Sequence, residues 1–296
     1  MLRYYETTTL SKAGLKYHPK YPSKIIETAM EYAGYSDGKK LDFLLDVGCG
    51  AGQATKLFCP YFKTVLGVDP SLKQLETAKE NCCFDHVTFT EGIAEDLPAA
   101  NESVDVVVSG SATHWYNVEA FLKETERVLK PGGTLVVLDY NSPKFLPLGL
   151  NTKNAEELGK LADDIYAKYP VAAMLKEPGV ANAYRKTRYE EIFEAVPFLE
   201  KRYEHVPVYS LWSLDDAVGY VNSVGPYEQI VRKRMNDLQH LPAREIEEKL
   251  LELDEAEKFV RLTKECWNCT EKKNSEVKLK ATFKFNVLLA KKAQTQ

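Results

Sequence analysis

The sequence predicts an α/β fold: a parallel sheet with helices on both faces. Two observations predict it. Between residues 42 and 139, five apolar strand patterns alternate with helical ones, the signature of parallel strands joined by helical crossovers. The first of these strands, Leu44-Leu45-Asp46-Val47, then runs into Gly48-Cys49-Gly50-Ala51-Gly52 before a helix opens at Gln53. Glycine alone tolerates the dihedrals of such a turn and leaves room for a ligand to approach the main chain. That turn lies at the carboxyl end of the first strand of an open sheet, where folds of this class bind nucleotide-type cofactors.

The elements follow in order. Residues 1–40 precede the sheet and include Tyr17-His18-Pro19-Lys20-Tyr21-Pro22, extended or turned because each proline restrains the residue before it. A helix is expected over 23–35. The second strand, 64–69, ends in Asp69-Pro70-Ser71 and a helix; farther on stands Phe89-Thr90-Glu91-Gly92-Ile93-Ala94-Glu95-Asp96-Leu97-Pro98. The fourth strand, 103–110, is followed by Ser111-Ala112-Thr113-His114-Trp115-Tyr116, a helix near 118–129, the turn Lys130-Pro131-Gly132-Gly133 and a fifth strand over 134–139. Pro143, Pro147 and Gly149 mark a break across 141–150. Beyond it a helix is expected over 154–168, a strand over 203–211, and a further helix capped by Ser213. One charged amphipathic helix is expected over 243–264, with Ile246, Leu250, Leu253 and Val260 on its core face. A last strand, 277–289, alternates apolar and polar residues.

The glycine loop narrows the cofactor. A dinucleotide fingerprint needs G-x-G-x-x-G, but position 53 is Gln, so the spacing is the tighter G-x-G-x-G. No lysine stands in the P-loop position, which disfavours a triphosphate. S-adenosylmethionine has no phosphate to cradle and carries an ammonium group that an acid at the strand end suits. Here the chain resembles motif I of class I S-adenosylmethionine-dependent methyltransferases. An acid about twenty residues past the loop is placed to accept hydrogen bonds from two ribose hydroxyls, and the family's acid matching Asp69 does so. Residues 89–98 resemble the family's adenine-binding turn. Ile93 stands where the family often has an aspartate, so Glu95 or main-chain groups beside Ala94 would substitute. Leu129-Lys130-Pro131-Gly132-Gly133 is a further hallmark.

The resemblance implies a cofactor site of Asp46, Gly48, Cys49, Gly50, Gly52, Asp69, Pro70, Ile93, Ala94, Glu95 and Ser109. It also implies a Rossmann-like, seven-stranded, mostly parallel sheet whose last strand is antiparallel and inserts between the fifth and sixth, plus a helical cap. The expected divisions are an N-terminal cap segment (1–40), the cofactor-binding core (41–150), cap helices with the sixth strand (151–275) and the last strand (276–296).

His18-Pro19-Lys20-Tyr21-Pro22 and His114-Trp115-Tyr116 resemble, more narrowly, the branch of trans-aconitate methyltransferase-like proteins, some of which methylate carboxylates of small molecules. His18 replaces that branch's arginine, and Tyr220-Val221-Asn222-Ser223-Val224-Gly225 stands where relatives carry Thr-Trp-Ser. The implied activity is methyl transfer to a small molecule, foremost O-methylation of a carboxylate; methylation of a macromolecule and cofactor binding without catalysis are the alternatives. A carboxylate is ionised at pH 7 and needs no base, but it would ask the cap for cations, with Arg185, Arg188 or Lys176 as candidates. A hydroxyl or amine would need a base, and His114 is the candidate, its alternative being a capping or packing role. Trp115 either walls the sulfonium through cation–π contact or fills the core. Tyr17, Tyr21 and Tyr227 are candidates for the acceptor pocket.

A formal charge of -4 over 296 residues disfavours nucleic acid as the main partner, which would favour a basic surface. No Asn-Pro-Pro-Tyr or Asp-Pro-Pro-Tyr follows the fourth strand, which lowers that reading again. Six unevenly spaced cysteines do not read as a disulfide framework, and Cys266-Trp267-Asn268-Cys269 lacks a second ligand pair for zinc, so no metal is expected. No signal-like or membrane-spanning run is seen. A cytoplasmic monomer or homodimer is the expectation.

Overall fold

The computed structural model describes residues 7–36, 38–150, 154–177, 179–181 and 189–294. Two helices, α1 (Thr8–Tyr17) and α2 (Ser23–Tyr32), precede the sheet. The chain then alternates β1 (Leu41–Val47), α3 (Gln53–Phe58), β2 (Phe62–Asp69), α4 (Leu72–Asn81), β3 (Val87–Glu91), β4 (Val104–Gly110), α5 (Val118–Val128) and β5 (Leu129–Tyr140). The five strands pair in parallel in the order β3-β2-β1-β4-β5. Both faces are covered, so the central strands read as unbroken apolar runs: Leu44, Leu45, Val106, Val107 and Val108 are all fully buried.

The last strand, β8 (Lys278–Lys291), runs antiparallel along β5, and its other edge carries β7 (Glu200–Ser213) over its whole length. The antiparallel strand thus lies between the fifth strand and the long one before it, as the sequence implies. One difference lies at 141–150, where the expected break contains a short strand, β6 (Lys144–Leu148), that pairs with Lys278–Thr282 of β8. It continues the line of β5 after an interruption of three residues. Pro147 is tolerated because β6 pairs on one edge only.

Further helices include α6 (Ala155–Tyr166), α7 (Tyr189–Ala195), α8 (Leu214–Ser223), α9 (Gly225–Leu238), α10 (Ala243–Leu253) and α11 (Glu255–Cys266). Ser213 opens α8 with a reciprocal capping box to Asp216. The helix expected over 243–264 is two helices. Asp254 stops it, taking extended dihedrals and accepting the main-chain N–H groups of Ala256 and Glu257 as the cap of α11. The break also turns the apolar stripe: Val260 is buried, whereas Leu253 is 39% exposed.

The cap and sheet share one core. A single apolar cluster runs from Ile25 of α2 through Leu44 and Val106 to Phe283 of β8, Tyr220 of α8 and Phe259 of α11. Close approaches fix the cap. A Cβ on Gly219 of α8 would lie 2.3 Å from the Tyr17 ring, and one on Gly159 of α6 would lie 2.4 Å from the Phe145 carbonyl. Among the described residues, no helix is long and apolar enough to cross a membrane.

Candidate active site

One cavity of about 320 Å³ opens at the carboxyl ends of β1, β2, β4 and β5, within the usual size range of small-molecule sites. Its floor is the strand ends and the glycine loop; its roof includes Leu10 and Gly14 of α1, Tyr166 of α6 and Tyr220 of α8.

The glycine loop is held to β2 by main chain and acid together. Cys49 donates its N–H to the Val68 carbonyl at 3.0 Å, and Gly50 donates to Asp69 Oδ2 at 2.9 Å. Gly48, Gly50 and Gly52 all have positive φ, at 65°, 53° and 79°, a region that costs other residues energy. Gly48 is further required by contact, since a Cβ there would lie 2.2 Å from Tyr116 Oη and 2.6 Å from Ala112 Cβ.

Asp69 ends β2 and accepts a second N–H, from Ser71 to Oδ1 at 2.9 Å. Asp46 is fully buried in β1. Thr55 donates to its Oδ2 at 2.5 Å, while Oδ1 has no hydrogen-bond partner. Burial, with Asp69 nearby, pushes the Asp46 carboxyl up to about 7. The Gln74 side chain on α4 also lines the cavity, and its Oε1 is another buried acceptor without a partner.

His114 stands in a single helical turn after β4, opposite Asp139 at the end of β5. Its Nδ1 lies 3.2 Å from Asp139 Oδ2 and 3.4 Å from the Tyr189 hydroxyl. Asp139 is buried, with Oδ1 accepting the N–H of Tyr140. The Trp115 ring packs 4.8 Å from that of His114. Tyr21 reaches the same place from the proline-flanked segment, 3.0 Å from Ser111 Oγ. Burial raises its phenol well above the ordinary value.

The cavity thus brings together Asp46, Gly48, Cys49, Gly50, Asp69, His114, Trp115 and Tyr21. The other sequence candidates stand elsewhere. Gly52 starts α3 behind the loop, and Pro70 is half-buried beside Asp69. Ile93 is 41% exposed, Ala94 is buried, and Glu95 accepts the Asn117 N–H. Ser109 is fully buried, 3.1 Å from the Tyr116 hydroxyl, which itself donates to the Val47 carbonyl. Tyr17 packs against Gly219. Tyr227 is fully buried, donates to Asp254 and accepts the Ala256 N–H, so it braces the break between α10 and α11. Arg185 and Arg188 lie outside the described residues, and Lys176 is exposed in a separate depression beside Arg234 and Glu255. Asp139, Tyr189 and Gln74 are site residues that sequence reasoning missed; the only signal was an acid closing the fifth strand.

Residues 45–137 match the family model for a methyltransferase domain. Over that span the chain carries a methyltransferase domain. The methyltransferase is an enzyme whose cofactor is S-adenosylmethionine. It is 26% identical over 260 residues to a Dictyostelium discoideum protein named as a methyltransferase, covering 82% of this chain and 84% of that one. It is 35% identical over 140 residues to a Saccharomyces cerevisiae protein named as an S-adenosylmethionine-dependent methyltransferase; that match spans 45% of this chain and 47% of the yeast protein. In fold it is similar to a type II methyltransferase from Anaeromyxobacter dehalogenans, with a TM-score of 0.64 at 22% identity over 94% of this chain and 99% of that one.

Proposed function

We propose that this methyltransferase moves a methyl group from S-adenosylmethionine to an oxygen of a small molecule enclosed beneath the cap, with His114 taking the acceptor's proton. The observation that carries this reading is the single cavity lined by the glycine loop, Asp69 and the His114–Asp139 pair. Buried acceptors without partners, Asp46 Oδ1 and Gln74 Oε1, fit a cofactor that brings donors in its ammonium and ribose hydroxyls. When bound, the cofactor supplies a methyl carbon already activated by its sulfonium charge.

The chain's own task is then alignment, exclusion of water and proton removal. Asp69, whose two oxygens accept the Gly50 and Ser71 N–H groups, is the acid that would bind the ribose. Pro70 would flank that sugar, Ile93, Ala94 and Glu95, just outside the cavity lining, would border the adenine end, and Ser109 would act from behind through Tyr116. Asp139 holds Nδ1–H of His114, which leaves Nε2 to accept the proton of a hydroxyl as its oxygen forms the new bond to carbon. Trp115 walls the reacting centre.

A carboxylate acceptor, foremost in the sequence reading and in its likeness to the trans-aconitate branch, would not use this base. Among the described residues, the cavity lining includes no lysine or arginine to hold one. Arg185 and Arg188 fall outside the described residues, so the hydroxyl reading rests on the His114–Asp139 pair.

The test pairs binding with turnover. Asp69→Ala is expected to weaken S-adenosylmethionine binding at least tenfold, about 1.4 kcal/mol. Labelled cofactor is expected to methylate members of a panel of phenols, alcohols and organic acids. Unchanged affinity, or label found only in protein or RNA, would sink the reading.

Proton linkage gives a second test. The folded Asp46 pKa lies above its ordinary value, so its contribution to stability is fullest below about pH 4 and declines as pH rises toward 7. A bound ammonium reverses that preference by favouring the carboxylate. Calorimetry at about pH 6.5 in two buffers is therefore expected to show net proton release on cofactor binding, lost in Asp46→Asn. Proton uptake would contradict it.

A further inference from the structure

Two consecutive residues at the tip of β5 each hold a histidine by its Nδ1. Asp139 meets His114, and the Tyr140 hydroxyl stands 3.0 Å from His18 Nδ1. The second pair has no place in the chemistry described so far. His18 lines the same cavity and is half-buried, and its Nε2, shielded from solvent, has no hydrogen-bond partner. Burial lowers its pKa to about 4, so the ring is neutral at physiological pH. In the tautomer in which the Tyr140 hydroxyl donates to Nδ1, the ring proton sits on Nε2, a donor with no acceptor in hydrogen-bond geometry. The Ser223 main chain near the ring favours a proton there. An orphan donor of this kind costs energy unless a ligand or water answers it.

The surrounding wall is rich in aromatic rings. Tyr140, Tyr166, Tyr220 and Trp115 line this part of the cavity, and the His18 ring packs edge-on to Tyr140 and Tyr220 at 6.4 and 5.7 Å. Aromatic rings in such a wall favour a planar guest. An ammonium guest would set donor against donor at His18. A phenol, with a pKa near 10, also gives its proton to an imidazole more readily than an aliphatic alcohol does.

Resting on the methyl-transfer reading above, we infer that the acceptor is an uncharged phenol-class compound with a second, hydrogen-bond-accepting oxygen, and that His18 selects it by donating to that oxygen. His114 then serves the reacting hydroxyl at the other end of the ring.

The experiment uses the full chain with saturating S-adenosylmethionine and four probes: 4-hydroxyacetophenone, 4-ethylphenol, benzoate and benzylamine. 4-Ethylphenol matches the ketone in shape but lacks its oxygen. Wild type is expected to favour the ketone over 4-ethylphenol by about tenfold or more in kcat/KM, because a site built to bond an oxygen rejects the analogue without it. In His18→Phe the preference is expected to shrink to within about twofold, with the loss appearing in KM. His18→Gln, which keeps a donor, is expected to retain part of it and serves if the phenylalanine variant fails to fold, as judged by cofactor binding. A preference that survives intact in both variants overturns the assignment, as does faster methylation of benzoate or benzylamine. If the cofactor binds and no phenol is methylated, this inference falls and the cofactor site stands; if the cofactor does not bind, both fall.

Discussion

Replacing His114 by alanine is expected to lower kcat by roughly two to four orders of magnitude, the usual contribution of a positioned general base. Cofactor affinity should change little, because the glycine loop and Asp69 belong to β1 and β2, whereas His114 follows β4. Asp139→Asn should also lower kcat: the amide keeps the shape, but its NH₂ can set the wrong tautomer. Quenched-flow measurement of a single turnover, with cofactor affinity read separately by tryptophan fluorescence, distinguishes chemistry from binding. A kcat unchanged in His114→Ala would mean that the acceptor arrives already ionised, and would return the reading to a carboxylate.

Gly48→Ala is expected to cost about 3 kcal/mol of folding stability or more, measurable by urea denaturation, since strain and overpacking each contribute about 1–3. The added carbon would collide with Tyr116, whose hydroxyl cannot retreat without giving up the Val47 carbonyl and Ser109. Gly50→Ala is the informative contrast. Its Cβ would meet nothing nearer than Gln74 Nε2 at 3.7 Å, so only the φ of 53° opposes it, at about 1–2 kcal/mol. Equal losses in the two variants would show that backbone conformation, rather than Tyr116, sets the requirement.

The sheet was legible because its signals are local. A strand that ends in an acid and then a glycine turn writes its geometry into a dozen consecutive residues, as at 44–55, and the acid closing β2 lies within the same unit. Even the interior antiparallel strand could be placed: its alternation marks the element, and the family resemblance supplied its position. Partnerships across the fold were not legible. His114 meets Asp139 and Tyr189 across 25 and 75 residues, and His18 meets Tyr140 across 122; no spacing rule reaches so far. Tyr227 has the composition of a pocket residue, but its hydroxyl answers buried groups at the α10–α11 break. Asp254 sits in a helical pattern where an acid reads as a solvent-facing residue. It became a cap because Tyr227 and two free N–H groups converge on it.

The place of β8 dictates an order of assembly. Strands β1 to β4 and the glycine turn can pair from residues made early, whereas Asp139 and Tyr140 acquire their neighbours Asn286 and Phe285 only when the final strand arrives. Threading a late segment between two earlier ones closes long loops and is slow. A ribosome-tethered chain would therefore hold a donor-binding half before it owns a working acceptor half, and methyl transfer would begin only with the final strand in place.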